Sequence, residues 1–566
     1  MARGGYVDYP VVTLLIGMGI VVGGVLALRL HPFLALVAGG LAVAALTPAG
    51  ALYRFGLRDG SYKVVGTEES GRIAVIQGKG KLTEGMPLMV LQAGADGGLQ
   101  TVGGVTVIGP AKEKGHYRAR VPDGITYGVG SNVFLDPRVE AQAATLAKSS
   151  IGERLGRGFG ETAMGIGILI AMAAIVGQTL LESGGAERIV GSLRRAVGDS
   201  RAGLAFLISG FILGIPVFFD TVFYLLIPIG KVMAARTKRD YTLYVLCIIA
   251  GATMTHSLVP PTPGPLFVAR ELNVNMATMI LGGLAVGAVA SASGFAYAFW
   301  ANRKFAFGVP DEMLPTESPT AESRPLPGLF ISLLPILLPV LLITGASILE
   351  RYPLGADASG TTRFAHGALM TLGEKNVSMT IAAGIGLLMM VMRRPVTKAG
   401  EKPRTVGAAV SEALADAGVI ILITSAGGAF GYVLRQTDIG AVLQQALPAN
   451  KGAMLMLLPI AFLITTAVRT AQGSATVAMI TAAGVMSPIV AAGPDALGFH
   501  PVYLALAIGC GSKPVMWMND SGFWIIGKMS GLTPGQTLRT ATVMMVIMGV
   551  MGLGATVLGA WIWPGV

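Results

Sequence analysis

Residues 252–267 read ATMTHSLVPPTPGPLF, with four prolines in six positions, Pro260, Pro261, Pro263 and Pro265, and apolar sequence on either side. Proline lacks a backbone N–H, and its ring clashes with the preceding helical turn. A helix entering this stretch must stop, and another can begin only among the last prolines. If the flanks lie in lipid, the freed carbonyls have no water to turn to. Irregular backbone at membrane depth is tolerated only where protein or a water-filled cavity covers it. One proline would read as a simple kink. Four, with Gly264 and Thr262 among them, read as a built interruption whose half-helix ends face a polar chamber.

Composition supports the lipid setting. The chain has 566 residues, 53% hydrophobic and only 13% charged, where soluble proteins run near 25% charged. Apolar runs such as 11–28, 329–349 and 541–563 are each long enough to span a bilayer as a helix. The net charge of +11 fits basic cytoplasmic loops better than a nucleic-acid partner. Cys247 and Cys510 sit in apolar sequence and read as buried thiols, not as a disulfide or metal site. The first apolar run shows no small-residue cleavage site and reads as a retained helix. No phosphate loop, triad order, metal-spaced cluster or nucleotide fingerprint occurs, so neither an enzyme nor a cofactor is expected.

Two helices are predicted at 11–29 and 32–52. The sequence then turns polar from 54 to 145 and carries β-like runs: GRIAVI (71–76), PLMVLQ (87–92), GVTVIG (104–109), HYRARV (116–121) and SNVFL (131–135). This predicts a small inserted all-β soluble domain, in the manner of an open barrel. Apolar segments resume at 161–181. The run 203–230 is interrupted at GIPVFFD, and 241–269 at the prolines. Helices follow at 277–300, 329–349 and 376–392. After a polar loop (393–406) comes a second set: 410–434, an interrupted run 453–490, another at 501–527, and a last helix at 541–563.

The two sets correspond in order and spacing. IVGQTLLESGG (175–185) aligns loosely with AFGYVLRQTDI (429–439), and each is followed by two broken runs. Paired broken segments in two halves are the mark of a binding site at a repeat interface. With 203–230 and 453–490 as re-entrant hairpins, nineteen basic residues fall in one set of loops and six in the opposite short loops. The positive-inside rule then puts the richer set in the cytoplasm, and both termini and the β insert outside. The expected fold is an all-α polytopic membrane protein with inverted repeats, re-entrant hairpins and broken helices. Its divisions are 1–53 (two helices), 54–145 (β insert), 146–305 (first repeat), 306–400 (connecting loop and two linking helices) and 401–566 (second repeat).

The breaks also hold the residues that carry chemistry. In GIPVFFDTVF (214–223), Asp220 is an acid in apolar surroundings, with Pro216, Phe219 and Thr221 beside it. It fits either a functional charge or a half-helix cap. His256 fits either a proton relay or a hydrogen-bonded structural group. RTAQGSATVAMI (469–480) offers Thr470, Gly473, Ser474 and Thr476, either to a hydroxylated ligand or to close helix packing. Arg469 fits a carboxylate partner or a snorkelling cation. SKPVMWMNDSGFW (512–524) holds Lys513, Asn519, Asp520 and Ser521. Lys513 and Asp520 could form an ion pair, and Asn-Asp-Ser-Gly makes a turn that caps the next half-helix.

Four of these segments, in this order, resemble the signature segments of the gluconate permease family: GIPVFFDTVFYLLIPI, THSLVPPTPGP, AQGSATVAMITAAG, and NDSGFW followed by GLTPGQTLRT. LLESGGAERI (180–189) and AGGAFGYVL (426–434) add to the resemblance, which covers about 11–52 and 150–566. It implies a secondary transporter of the ion transporter superfamily, carrying gluconate or related sugar acids, or in some members D-serine, usually with protons. The implied partners are a small organic anion, H+ and the lipid bilayer, with a homo-oligomer left open. The substrate site would comprise Pro216, Phe219, Asp220, Thr221, His256, Thr262, Gly264, Gly473, Ser474, Thr476, Asn519, Asp520 and Ser521, with the coupling proton on Asp220, His256 or Asp520. Two departures stand out. Met516, Trp517 and Met518 occupy positions where the family often has Ser-His-x, and the β insert replaces a short connection. An amino-acid carrier is the alternative within transport, and a sensor using the β insert is the alternative outside it.

Overall fold

The structure is a computed structural model of the chain. It describes residues 4–28, 30–68, 72–77, 82–93, 99–111, 116–122, 132–135, 137–198, 201–237, 239–310, 326–351, 359–392, 405–437, 439, 454–491, 497–518 and 520–565. In chain order the helices and strands begin with α1 (Gly4–Leu26), α2 (Pro32–Leu46), α3 (Ala49–Asp59), β1 (Tyr62–Glu68), β2 (Ile73–Gln77), β3 (Pro87–Ala93), β4 (Leu99–Pro110), β5 (His116–Arg120) and β6 (Asn132–Leu135). The helices α4 (Pro137–Lys148), α5 (Ile151–Glu182), α6 (Gly185–Val197), α7 (Ala202–Leu213), α8 (Phe219–Thr237), α9 (Tyr241–Leu258), α10 (Pro263–Glu271) and α11 (Met276–Phe305) follow. Then come α12 (Leu329–Arg351), α13 (Gly360–Leu372), α14 (Lys375–Met392), α15 (Val406–Arg435), α16 (Leu457–Gln472), α17 (Ala475–Ala491), α18 (Pro501–Gly511), α19 (Ser521–Ser530) and α20 (Pro534–Thr537). A π-helical turn (Leu538–Thr542) leads into α21 (Val543–Ile562). Seven helical segments among the described residues are long and apolar enough to cross a membrane.

The chain divides into two compact units, one of Met1–Gly17, Leu41–Leu155 and Val433–Ile439, the other of Met18–Gly40, Gly156–Tyr432 and Gly440–Val566. The first unit contains the β domain. Its strands run β1-β2-β5-β4-β3-β6, and β6 pairs with both β3 and β1, so the barrel is closed. The expectation of an open barrel missed β1, among whose described side chains Tyr62 and Val64 point into the core. Closure leaves no free edge for another strand to pair with. Alternation fills the barrel: Val64, Ile76, Leu88, Val90, Val105, Val107 and Ala119 are all buried.

Two helices bracket the barrel. The second predicted helix, 32–52, in fact ends at Leu46, and the chain bends by 98° into α3. The Thr47 hydroxyl donates to the Val43 carbonyl at 2.7 Å, and Pro48 follows at the bend. α3 packs on α4 through glycines: a Cβ on Gly56 would lie 2.7 Å from the Ala143 Cα. Leu57, Val139 and Ala143 form the buried seam.

In the second unit the helices around the breaks pack closely. α9 is buried along almost its whole length and lies against α7, α8 and α11. In the later set α18 lies against α16, α17 and α21. Glycines make the contacts possible, as between membrane helices generally. A side chain on Gly251 would strike the Leu207 carbonyl, and one on Gly509 would lie 2.8 Å from the Ser257 carbonyl oxygen. The two sets also touch: α11 packs on α21, α10 on α17, and α8 on α19. α6, absent from the sequence reading, folds because GAERIVGSLRRAV puts Ala186, Ile189 and Val190 on one buried face and Arg194 and Arg195 in the last turn.

Candidate functional site

Every interruption read in the sequence separates two helices. α7 and α8 part at 214–218, α9 and α10 at 259–262, α16 and α17 at Gly473–Ser474, and α18 and α19 at 512–520. Local chemistry explains three of the four. α10 opens Pro263-Gly264-Pro265, so two of its first three residues have no N–H and Gly264 supplies the one free donor of that trio. The Thr262 side chain does not cap this end; its hydroxyl donates to the Val259 carbonyl at 2.7 Å. Gly473 takes φ 77° to close α16, and the Ser474 hydroxyl accepts from the Val477 N–H at 3.3 Å to start α17. Asp520 starts α19 by accepting the Gly522 N–H at 2.7 Å.

The break between α18 and α19 is held under strain. Val515, a β-branched residue, has φ 57°, a conformation that costs about 1–3 kcal/mol. Neighbours on both sides hold it. Pro514 abuts Gly549, and the Met516 carbonyl accepts from the Thr542 hydroxyl.

Charge gathers at these breaks. Arg469 and Asp520 form an ion pair, with side chains 5% and 6% exposed. Arg469 also donates to the carbonyls of Gly473 and of Ser512, the latter at 3.1 Å, so one guanidinium ties the α16–α17 break to the α18–α19 break. Lys513 is buried and donates to the Thr253 carbonyl in α9 at 2.8 Å. It does not pair with Asp520 in the way the sequence allowed, and Arg469 does not snorkel. Asp220, in the first turn of α8, lies within electrostatic reach of Asp520 and Arg469. Two cations and two acids thus share one low-dielectric region, where a lone charge is costly and a paired one is retained.

The residues singled out from sequence fall in three groups around this cluster. Phe219 stands against Gly522, 3.5 Å from where its Cβ would be, which puts Asp220 beside the Asp520 turn. Gly264 abuts Thr476 and Met479 of α17, so the proline break of the first set meets the helix that follows the Gly473 break of the second. His256 packs edge-on against Phe218, ring centroids 5.8 Å apart, and lies within electrostatic reach of Lys513. Its Nδ1 is shielded and has no hydrogen-bond partner among the described residues. Pro216 is buried in its break, Thr221 is half-buried, and Ser521 is exposed at the first position of α19. Asn519 lies outside the described residues. The sequence reading did not single out the Thr253 carbonyl or Gly522, because a carbonyl acceptor and a packing glycine leave no mark in residue type.

Relatives bear on what this arrangement belongs to. The family model described as GntP family permease matches residues 139–562, most of the chain. The chain belongs to the GntP permease family. It is 32% identical to an uncharacterized permease of Haemophilus influenzae over 71% of this chain and 83% of that one. It is 30% identical to the low-affinity gluconate transporter of Escherichia coli K12 over 75% of this chain and 89% of that one. The solved structure of Neisseria gonorrhoeae MtrF, described as illuminating a class of antimetabolite efflux pumps, matches with a TM-score of 0.50 at 14% identity. That match covers 77% of this chain and 89% of that one, and shows a shared fold. This GntP permease is a multi-pass inner-membrane transporter, not an enzyme.

Proposed function

We propose that the permease is a proton-coupled symporter of gluconate or a related small hydroxylated monocarboxylate. The observation that carries this is the charge cluster at the meeting of the broken helices, buried Arg469, Lys513 and Asp520 with half-buried Asp220 within electrostatic reach. With both acids ionised the set is neutral. Adding a monocarboxylate leaves one uncompensated negative charge in a medium where that is expensive. One proton, taken up by Asp220, Asp520 or His256, restores neutrality. The empty and the doubly loaded carrier then reorient, while the singly loaded one does not.

The substrate site in this reading comprises Pro216, Phe219, Asp220, Thr221, His256, Thr262, Gly264, Gly473, Ser474, Thr476, Asn519, Asp520 and Ser521. The bare N–H of Gly264 at the start of α10 and the positive N-terminal ends of α8, α17 and α19 favour the carboxylate. The substrate name comes from relatives such as the Escherichia coli transporter. The reading takes the architecture to be a pair of inverted repeats, 146–305 and 401–566, with α7–α8 and α16–α17 as re-entrant hairpins and α9–α10 and α18–α19 each crossing once. The parallel packing of α9 and α18 favours it. The loop charges put both termini and the barrel outside the cytoplasm.

Uptake into proteoliposomes across a panel of sugar acids and D-amino acids, with and without an inward proton gradient, is the test. The expected result is gradient-dependent accumulation of gluconate, blocked by other sugar acids and not by D-serine. Accumulation of D-serine alone, or uptake of gluconate indifferent to the gradient, would overturn substrate or coupling respectively.

A further inference from the structure

Gln472 is the last residue of α16, immediately before Gly473 turns the chain into α17. Both atoms of its side-chain amide are shielded, and neither has a hydrogen-bond partner among the described residues. A buried amide left unsatisfied at both ends is unusual in a native fold, and each such group calls for a reason. Polar residues near it in sequence are engaged. Arg469, one turn earlier, is taken by Asp520 and the carbonyls of Gly473 and Ser512. The Thr470 hydroxyl donates to the Thr466 carbonyl, and the Trp517 indole donates to the Thr470 carbonyl at 2.8 Å. Ser474 caps α17. Gln436, by contrast, keeps its Oε1 bonded to Arg154. At Gln472 neither end is used, at a break where helix ends and a buried charge pair converge.

We infer that Gln472 is a specificity-determining residue of the transport site, whose amide donates to one substrate hydroxyl and accepts from another. This rests on the substrate reading above. An amide offers NH2 donors and a carbonyl acceptor side by side, which suits a neighbouring pair of hydroxyls. Gln472 and Arg469 are three residues apart on one helix, so they share a face. The substrate's charged end and its hydroxylated chain would then be read from the same turn of α16. A site that hydrogen-bonds a hydroxyl rejects the analogue lacking it far better than an apolar pocket rejects an extra group, because the site's own polar atoms are left unpaired.

The test uses the full-length protein in proteoliposomes, with Gln472→Met as a near-isosteric variant that can neither donate nor accept as an amide does. Transport of radiolabelled gluconate is measured with gluconate, its monodeoxy analogues and a hydroxyl-free carboxylate (hexanoate) as competitors. Wild type should prefer gluconate over at least one monodeoxy analogue by about 10-fold to 100-fold. Gln472→Met should raise the gluconate KM by a similar factor, shrink that preference to within about 3-fold, and leave the hexanoate inhibition constant unchanged. An unchanged gluconate KM, or equal weakening of all three acids, would overturn the inference and leave proton-coupled uptake standing. If Gln472→Met does not insert, Gln472→Glu is read instead. It keeps an acceptor, loses the NH2 donors and adds negative charge, so wild-type gluconate KM in that variant would also overturn the inference. Should wild type carry only acids without hydroxyls, or no panel member, both this inference and the substrate reading fail together.

Discussion

The breaks of the earlier helix set and those of the later set do the same geometric job with different chemistry. In the later set polar side chains engage one another: Arg469 holds Asp520 and two carbonyls, Ser474 and Asp520 each start a helix, and Trp517 bonds the Thr470 carbonyl. In the earlier set the backbone is broken by Pro260, Pro261, Pro263 and Pro265, α10 has no side-chain cap, and His256 Nδ1 has no partner among the described residues. The later side is largely an engaged electrostatic framework with the Gln472 amide left over, while the earlier side leaves Asp220, His256 Nδ1 and the bare Gly264 N–H outside that framework. Division of labour follows. In the proposed mechanism the later breaks carry most of the framework and a standing charge and lend Gln472 and Asp520 to the site, while the earlier ones supply the groups left outside that framework.

The sharpest way to break that comparison is to remove one member of the ion pair. Arg469→Gln leaves Asp520 buried without its counter-ion and releases the Gly473 and Ser512 carbonyls. Breaking a buried pair from one side costs about 3–5 kcal/mol. The variant should show a large fall in thermal stability in detergent and lose uptake. Asp520→Asn should do likewise, while Arg469→Gln with Asp520→Asn should recover most of the stability and none of the uptake. A double variant no more stable than either single one would deny that the pair is a unit.

Asp220→Asn probes the other side and should separate function from structure. The residue sits in the first turn of α8, and no framework bond depends on it in the scheme above. We expect accumulation against a gradient to be abolished, substrate exchange to survive, and thermal stability to stay within about 1 kcal/mol, as for substitutions away from packed or paired groups. Normal accumulation in this variant would remove Asp220 from the coupling. Loss of folding would make it part of the framework after all.

A third test asks whether the frame around the first set tolerates any widening. Gly251 of α9 faces the Leu207 carbonyl and lies close to the Phe211 N–H. These backbone atoms cannot rotate away, so Gly251→Ala should push α9 off α7 and destabilise by about 1–3 kcal/mol. Gly282→Ala meets only the Leu506 and Val502 side chains, the nearest at 3.1 Å, and should be nearly silent. Equal melting temperatures for the two would mean that α9 is not clamped.

Much of this was legible in the chain, and the reasons are uneven. Proline and glycine report backbone conformation directly, so all four breaks fell where the sequence put them. Long apolar runs report lipid, so helices such as α11, α12 and α14 were found to within a few residues. The barrel was visible as alternation except for β1, which follows closely on α3. Partner choice was not legible. Lys513 could pair with Asp520 by spacing alone, yet the fold brings α9 beside it and gives it the Thr253 carbonyl. Arg469 fitted either a carboxylate partner or a snorkelling cation, and only the fold shows Asp520 as its partner. Such choices depend on which helices meet, which one chain's residue order does not state. Gln472 lay unremarked within the quoted AQGSAT segment because an unsatisfied amide is defined by its surroundings.

The smallest expected effect is also the finest discriminator between the two kinds of break. Ser474 and Thr262 both immediately precede half-helices, but only Ser474 accepts from its helix, at the Val477 N–H. Ser474→Ala should therefore lose a cap worth about 0.5–2 kcal/mol. Thr262 spends its hydroxyl on the Val259 carbonyl within its own turn. Thr262→Val keeps the shape and removes one local bond worth about 1 kcal/mol at most. If the earlier break serves the ligand, Thr262→Val should be felt in the gluconate KM more than in the melting temperature, and Ser474→Ala chiefly in the melting temperature. The opposite pattern would reassign framework and response between the halves, with the hairpin at Gly473 answering to substrate and the proline break merely holding helices in place.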